Sequence, residues 1–186
     1  MPLVPLAWLA EHVDVTGSAE DVAAALVKVG LEEEAIHGGD ITGPLVVGRV
    51  LDITVEPQKS GKMIRWTHVD VGEHNPTGEP GRGIICGADN FAEGDLVVVA
   101  LPGSVLPGGF EISARKTYGH ISDGMICSER ELGIGDDHTG IIVLDRLGYD
   151  PSTLTPGQDA IELLGLTEQV VEVNVTPDRG YCFAIR

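Results

Sequence analysis

Leu51-Asp52-Ile53-Thr54-Val55-Glu56 alternates apolar and polar side chains. A period of two belongs to a β-strand with one face buried and the other wet. Outward from this stretch, Ile64 to Val71, Gly83 to Cys86, Leu96 to Leu101 and Phe110 to Ser113 are further short strand candidates. Gly, Pro and Asn clusters separate them and mark turns. Asp123 to Leu132 reads as a turn leading into a short helix, and Ile141 to Leu144 as a closing strand. Several short strands with turn signals, spread over roughly a hundred residues, point to a small barrel or sandwich.

The flanks change period. Pro5 suits the first turn of a helix running through Trp8, Leu9 and Val13. Ser18-Ala19-Glu20-Asp21 fits a relaxed capping box, with Ser18 as N-cap. Val22, Leu26 and Val29, with Ala23 and Val27 beside them, form the apolar face of the helix that follows, and Gly30 ends it. Glu32 to Glu34 reads as solvated. Beyond the centre come Asp150-Pro151, a linker from Ser152 to Gly157 and a short helix from Asp159 to Leu164. Val171, Val173 and Val175 alternate with polar residues as in a strand, and Tyr181 to Arg186 resembles the start of a helix cut short. The expected class is α+β. A barrel over residues 41–150 is inserted into a small α/β domain made by residues 1–40 and 151–186, since neither flank can bury much alone.

Composition narrows the function. The 186 residues include 25 Gly and 11 Pro, which suits turn-rich β structure. Twelve Lys and Arg face 29 Asp and Glu, a formal charge of −17, which is unfavourable for phosphate binding overall. The cations are not spread evenly. Nine of the 12 lie between Arg49 and Arg146, leaving Lys28, Arg179 and Arg186 to the flanks. Aromatics make up only 4%, which argues against a surface built mainly on stacked bases. Cys86, Cys127 and Cys182 are far apart and form no C-x-x-C pair, so neither a zinc knuckle nor a disulfide framework is indicated. The start has no signal-peptide pattern, and no apolar run approaches membrane-spanning length. The expected setting is the cytoplasm.

Catalytic patterns are missing. No phosphate loop occurs, and Gly81-Arg82-Gly83 lacks the later glycine of a dinucleotide fingerprint. His68 and His74 lack accompanying metal ligands. Asp136-Asp137-His138 lies among glycines and reads as a turn rich in side-chain-to-backbone hydrogen bonds. Cys127 has no identifiable base and reads as a small buried hydrophobe.

The central wording is more specific. Ile84-Ile85-Cys86-Gly87-Ala88-Asp89-Asn90 resembles the I-V-C-G-A-x-N signature of the tRNA-binding barrel shared by phenylalanyl-tRNA synthetase β subunits and free-standing tRNA-binding proteins. The run Ala100 to Phe110, with Pro102, Gly103, Pro107 and Gly108, resembles A-L-P-G-x-x-L-P-G-x-F. Ser122 to Gly133 resembles S-x-G-M-x-C-S-x-x-E-L-G through Gly124, Met125, Cys127, Ser128, Glu131 and Leu132. Asp136 to Ile141 resembles D-D-H-x-G-I. At the ends, Leu6-Ala7-Trp8-Leu9, Val29-Gly30-Leu31-Glu32 and Val175-Thr176-Pro177-Asp178-Arg179-Gly180-Tyr181-Cys182 resemble elements of the bacterial synthetase β-subunit family, which free-standing barrels lack. Two places depart from the family. Glu56 to Ile64 replaces H-P-N-A-D-K-L, and Asp178 and Tyr181 stand where Asn and Asp are frequent.

The resemblance implies a five-stranded oligonucleotide-binding barrel. It also implies an α2β2 phenylalanyl-tRNA synthetase that charges tRNA(Phe) using ATP and Mg²⁺ at sites outside this chain. The partners implied are tRNA(Phe), the α subunit and the rest of the β subunit; no cofactor, catalytic residue, metal, DNA or membrane is expected for the chain itself. Lys62, Arg65, Arg115 and Lys116 are the candidate phosphate contacts, with Lys59 and Arg82 second; Arg115-Lys116 is the adjacent basic pair. The rival readings are a stand-alone tRNA-binding module and an architectural barrel with little RNA affinity.

Overall fold

The structure, a computed structural model, describes residues 2–58, 61 and 63–183, with side chains as far as 181. In chain order the elements are β1 (Leu3–Pro5), α1 (Leu6–Ala10), α2 (Ala19–Lys28), β2 (Glu32–His37), β3 (Leu45–Pro57), β4 (Met63–Asp70), β5 (Arg82–Cys86), β6 (Leu96–Ala100), β7 (Val105–Leu106), β8 (Phe110–Glu111), β9 (Arg115–Thr117), β10 (His120–Ser122), β11 (Met125–Ile126), α3 (Ala160–Leu163) and β12 (Val170–Asn174). The chain divides into one unit of residues 1–39 with 165–186 and a second of residues 40–164.

In the first unit, β12 lies between β1 and β2 in an antiparallel sheet. Ser18 caps α2 in a full capping box with Asp21. The side of α2 that meets the sheet carries Ala19, Ala23 and Leu26, which pack with Val171, Val173 and Val175. The sequence expectation had placed Val29 on that side, but Val27 and Val29 are exposed. Alanine has no bulk to hold a helix off a sheet, so the alanine side approaches closest. Two short strands also escaped the sequence reading. Pro5 ends β1 and caps α1, and the glutamates of β2 stand exposed on a strand. Helix α1 stops at Ala10, leaving Val13 outside it.

The second unit is an antiparallel sheet ordered β11-β6-β3-β4-β5 that curls into a nearly closed barrel. Its long strand is β3. Leu45 to Arg49 pair with β6, and Arg49 to Pro57 pair with β4, with a register shift between Val50 and Asp52. A bulge bends a strand and increases its twist, which lets one strand serve both walls. The alternating stretch that suggests β is the second half of this strand. The first half, Leu45 to Val50, is almost wholly buried on both faces and so has no alternation to detect. Gly48 lies where two walls meet: an added Cβ would come within 2.6 Å of Val69 and 2.7 Å of Val99. Valines and isoleucines of β3 to β6 fill the interior with Ile126, Ile141 and Val143. Closure toward β5 uses single bonds, Asp123 N–H to the Gly83 carbonyl at 2.8 Å and Ile85 N–H to Ser122 Oγ at 3.0 Å.

Three segments differ from expectation. Ile141 to Leu144 is buried but forms no named strand: it has one isolated bridge, Val97 with Val143, and an Ile142 N–H bond to the Cys127 carbonyl at 2.9 Å. After β11, residues 129–133 form turns rather than a helix, and Gly133 adopts φ +70° where the coil ends. Residues 151–164, assigned from sequence to the carboxyl-terminal flank, lie in the barrel unit, where Gly157 N–H bonds the Val47 carbonyl and Val47 N–H the Gln158 carbonyl, both at 2.8 Å.

Thr67 is fully buried, and its Oγ1 is the buried side-chain polar atom without a partner among the described residues. A desolvated hydroxyl with no hydrogen bond costs about 1–3 kcal/mol. Thr67→Val keeps the shape and removes that cost, so it raises the melting temperature in thermal denaturation.

Candidate functional site

Three of the motif segments converge on one open cleft of about 660 Å³. One wall is Ile85, Cys86, Gly87 and Ala88; the opposite wall is Met125, Ile126, Ser128, Arg130 and Glu131; His138, Thr139, Gly140 and Ile141 close the end. These residues are far apart in sequence, and the barrel closure brings them together. A second hollow, lined by Phe110, Glu111, Ile112, Ser113, Arg115, Thr117, Ser122 and Gly124, shares Ile85 and Met125 with the first. The two are therefore contiguous.

Asn90 ties the cleft. Its Nδ2 donates to the Ile141 carbonyl at 2.8 Å, and its Oδ1 accepts from the Ile141 N–H at 2.9 Å. Both backbone groups of Ile141 are thus satisfied by a side chain, which explains why this segment needs no strand partner there. Gly140 is required next to it, since an added Cβ would stand 2.5 Å from Asn90 Nδ2. Arg146 in turn donates to the Asn90 carbonyl. On the other wall, Glu131 Oε2 accepts from the Ser128 N–H at 2.7 Å and from Ser128 Oγ at 2.8 Å, a capping box that holds a turn instead of a helix. Leu132 is buried beneath it. In the second hollow, Gly124 at φ +138° has room for no side chain without approaching the Ala100 carbonyl to 3.0 Å. The proline loop is fastened by Ser104 Oγ to the Pro44 carbonyl at 2.8 Å, while Gly103 and Gly108 take φ +95° and +80°. Pro102 and Pro107 lie half-buried in the same loop, and Pro107 comes near Gly133 of the next motif.

The cations proposed from sequence divide into groups. Arg115 and Lys116 are exposed on β9, and Arg115 lies 5.6 Å from the Phe110 ring centroid. Arg65 is half-buried on β4, opposite Val55 and Cys86. Arg82 is committed internally: it donates to Asp123 at 2.5 Å and to the His74 carbonyl at 2.8 Å. Lys59 and Lys62 lie outside the described residues. Sequence reasoning missed Arg130 and His138, which line the cleft itself. Their signal was position, inside or beside two matched motifs. It also missed the stack of His120 on Trp66, with centroids 4.3 Å apart, and the His120 Nε2 contact to Glu56 at 3.0 Å. Such pairing across sequence leaves no local pattern.

Burial pushes the Cys86 and Cys127 thiols up from their ordinary range, the opposite of an activated nucleophile. Asp137 accepts from the Thr139 N–H at 2.8 Å and hydroxyl at 2.7 Å, and these bonds lower its carboxyl. That is the turn expected for Asp136-Asp137-His138. Among the described residues no group of three or more His, Cys, Asp and Glu is placed to hold a metal ion, and no helix is long and apolar enough to cross a membrane.

The family model described as "Putative tRNA binding domain" matches residues 45–148, the body of the barrel. The chain belongs to this family. It is also 56% identical to the phenylalanine–tRNA ligase β subunit of Bifidobacterium longum, over 100% of this chain and 23% of that protein. The corresponding subunits of Leifsonia xyli and Thermobifida fusca are 57% and 56% identical, each over 98% of this chain and over 23% and 22% of their own lengths. The chain thus spans less than a quarter of these relatives. The synthetase β subunits suggested by the motifs are the family to which the whole chain, flanks included, is similar.

Asn90→Ala leaves both polar groups of Ile141 without their partner. An expected loss of about 2–4 kcal/mol, two bonds at ~1–2 each, appears as a lower urea midpoint. Burial makes both thiols release their protons at higher pH in the folded protein than in the unfolded chain. In the unfolded chain they lose protons from about pH 8.5 upward. The folded state then holds more protons, so stability falls as pH rises through that range. Cys86→Ala with Cys127→Ala flattens this alkaline decline in denaturation curves taken across pH.

Proposed function

We propose that the chain is the amino-terminal part of the β subunit of a bacterial phenylalanine–tRNA ligase, and that its barrel binds tRNA. The observation that carries this reading is the convergence of the motif segments on one cleft lined by Arg130 and His138, next to a hollow lined by Arg115. Cations at the rim of a concave surface hold phosphates, while backbone and small polar groups inside meet sugar and base edges. The barrel domain, expected over residues 41–150 and joined in its compact unit by residues 151–164, interrupts a flanking domain made by both ends of the chain. The flanks give the subunit its architecture, and the barrel contributes tRNA contact to ATP-dependent charging of tRNA(Phe).

The full enzyme has the α subunit and the remainder of β as partners, in an α2β2 assembly acting in the cytoplasm. ATP and Mg²⁺ serve its catalytic site rather than this barrel. Arg115 and Lys116 are the leading phosphate contacts, supported by their exposure; Arg65 follows, and Lys62 and Lys59 stay candidates by their place in the sequence. Arg82 acts in the fold through Asp123. The charge of −17 favours one rival, an architectural barrel with little RNA affinity.

A salt-dependent titration of the chain with tRNA(Phe) separates the two. Binding should weaken steeply with salt, and Arg115→Ala with Lys116→Ala should flatten the log–log salt slope by about 1.5. Absence of binding at low salt would sink the RNA reading and leave the architectural one.

A further inference from the structure

Among the described residues of the barrel unit, the exposed aromatic side chains are Phe110, at 48%, and Tyr118, at 46%. In sequence they bracket Arg115-Lys116. The aromatic content that looked too low for stacked bases is therefore partly gathered beside the one adjacent basic pair.

Tyr118 occupies an unusual backbone position. Strands β9 and β10 pair with Thr117 opposite His120, so Tyr118-Gly119 is the whole connection. Their φ angles, +52° and +89°, are both positive. Two-residue turns of this kind favour Asn-Gly, because a bulky residue with positive φ is strained. Tyr118 is the residue other than glycine with positive φ among the described residues. The residue is 46% exposed. A strained residue at an exposed tip is a reasonable starting point for a functional assignment.

The hairpin beneath this tip is fixed. His120 stacks on Trp66 and contacts Glu56, and Ser122 Oγ accepts from the Ile85 N–H. Cross-strand partners share a face, so Thr117 and His120 lie on the face that stacks on Trp66. Lys116 and Ile121 lie on the other face, where Ile121 is 63% exposed. The outward side thus carries a cation and an apolar side chain next to the aromatic tip. Arg115 lies over Phe110 on the hollow side.

We propose that the β9–β10 hairpin is a base-reading element for unpaired RNA. Tyr118 stacks on an unstacked base, Phe110 beneath Arg115 offers a second platform, and Arg115 and Lys116 take the flanking phosphates. An open aromatic face suits bases splayed from a loop, whereas a duplex keeps its bases stacked and shows mainly phosphate and ribose. This inference rests on the RNA-binding reading above and specifies which RNA feature it meets.

The test compares two probes of equal phosphate number, an RNA stem–loop and a fully paired RNA duplex, titrated with the chain. Tyr118→Gly suits the turn and removes the ring; Tyr118→Phe keeps the ring and the strain. Stacking on one base predicts roughly tenfold weaker stem–loop binding for Tyr118→Gly, unchanged duplex binding and an unchanged salt slope. Tyr118→Phe should bind as the parent does. Thermal melting verifies that both variants remain folded. Equal stem–loop binding by Tyr118→Gly and the parent overturns the proposal, as does an equal loss on both probes; in either case RNA binding itself survives. If the parent binds neither probe nor tRNA(Phe), the hairpin proposal and the RNA reading fall together.

Discussion

The barrel depends on the bend in β3. One strand pairs with β6 through its first half and with β4 through its second, and the register shift beside Leu51 separates the two tasks. Without that extra residue the strand would continue straight, and the walls carrying β5 and β11 would diverge. Gly48, just before the bend, lets the Val69 and Val99 side chains come together over the backbone. The hydrophobic interior and the closure toward Asp123 both follow from this curvature.

Curvature also makes the site. It brings β5 beside β11, so that Ile85 and Met125 are shared by two neighbouring hollows. The loops above are then tied by side chains rather than by ladder hydrogen bonds. Asn90 substitutes for a strand at Ile141, and Glu131 substitutes for the start of a helix at Ser128. Side-chain ties hold irregular backbone open while leaving little of it unsatisfied. Such loops can present a concave surface without collapsing into regular structure.

Charge is distributed according to different work. Arg82 is an internal strut with Asp123, and Arg146 contacts the Asn90 carbonyl. Arg115, Lys116 and Arg130 remain exposed. Glu111 lines the same hollow as Arg115, and Glu131 the same cleft as Arg130, so cations and acids alternate there. Screening in water shortens the reach of the surrounding acids to about a Debye length, so local arrangement counts more than the total.

The sequence by itself determined the strand-rich centre, the capped helix at Ser18, the family and the motif residues. These are local: alternation, a capping box and runs of matched wording all lie within short windows. The first half of β3 was hidden because burial on both faces erases alternation. The helical side of Ala19 and Ala23 was misjudged because small residues carry little hydrophobic signal, although they pack closest. Only the tertiary structure decided that Arg82 is engaged while Arg115 is exposed, that Arg130 and His138 reach the cleft, and that Tyr118 stands at a strained tip. Those facts depend on which distant segments meet when a bent sheet closes, and pairing between residues far apart in the chain leaves no periodicity for a sequence to display.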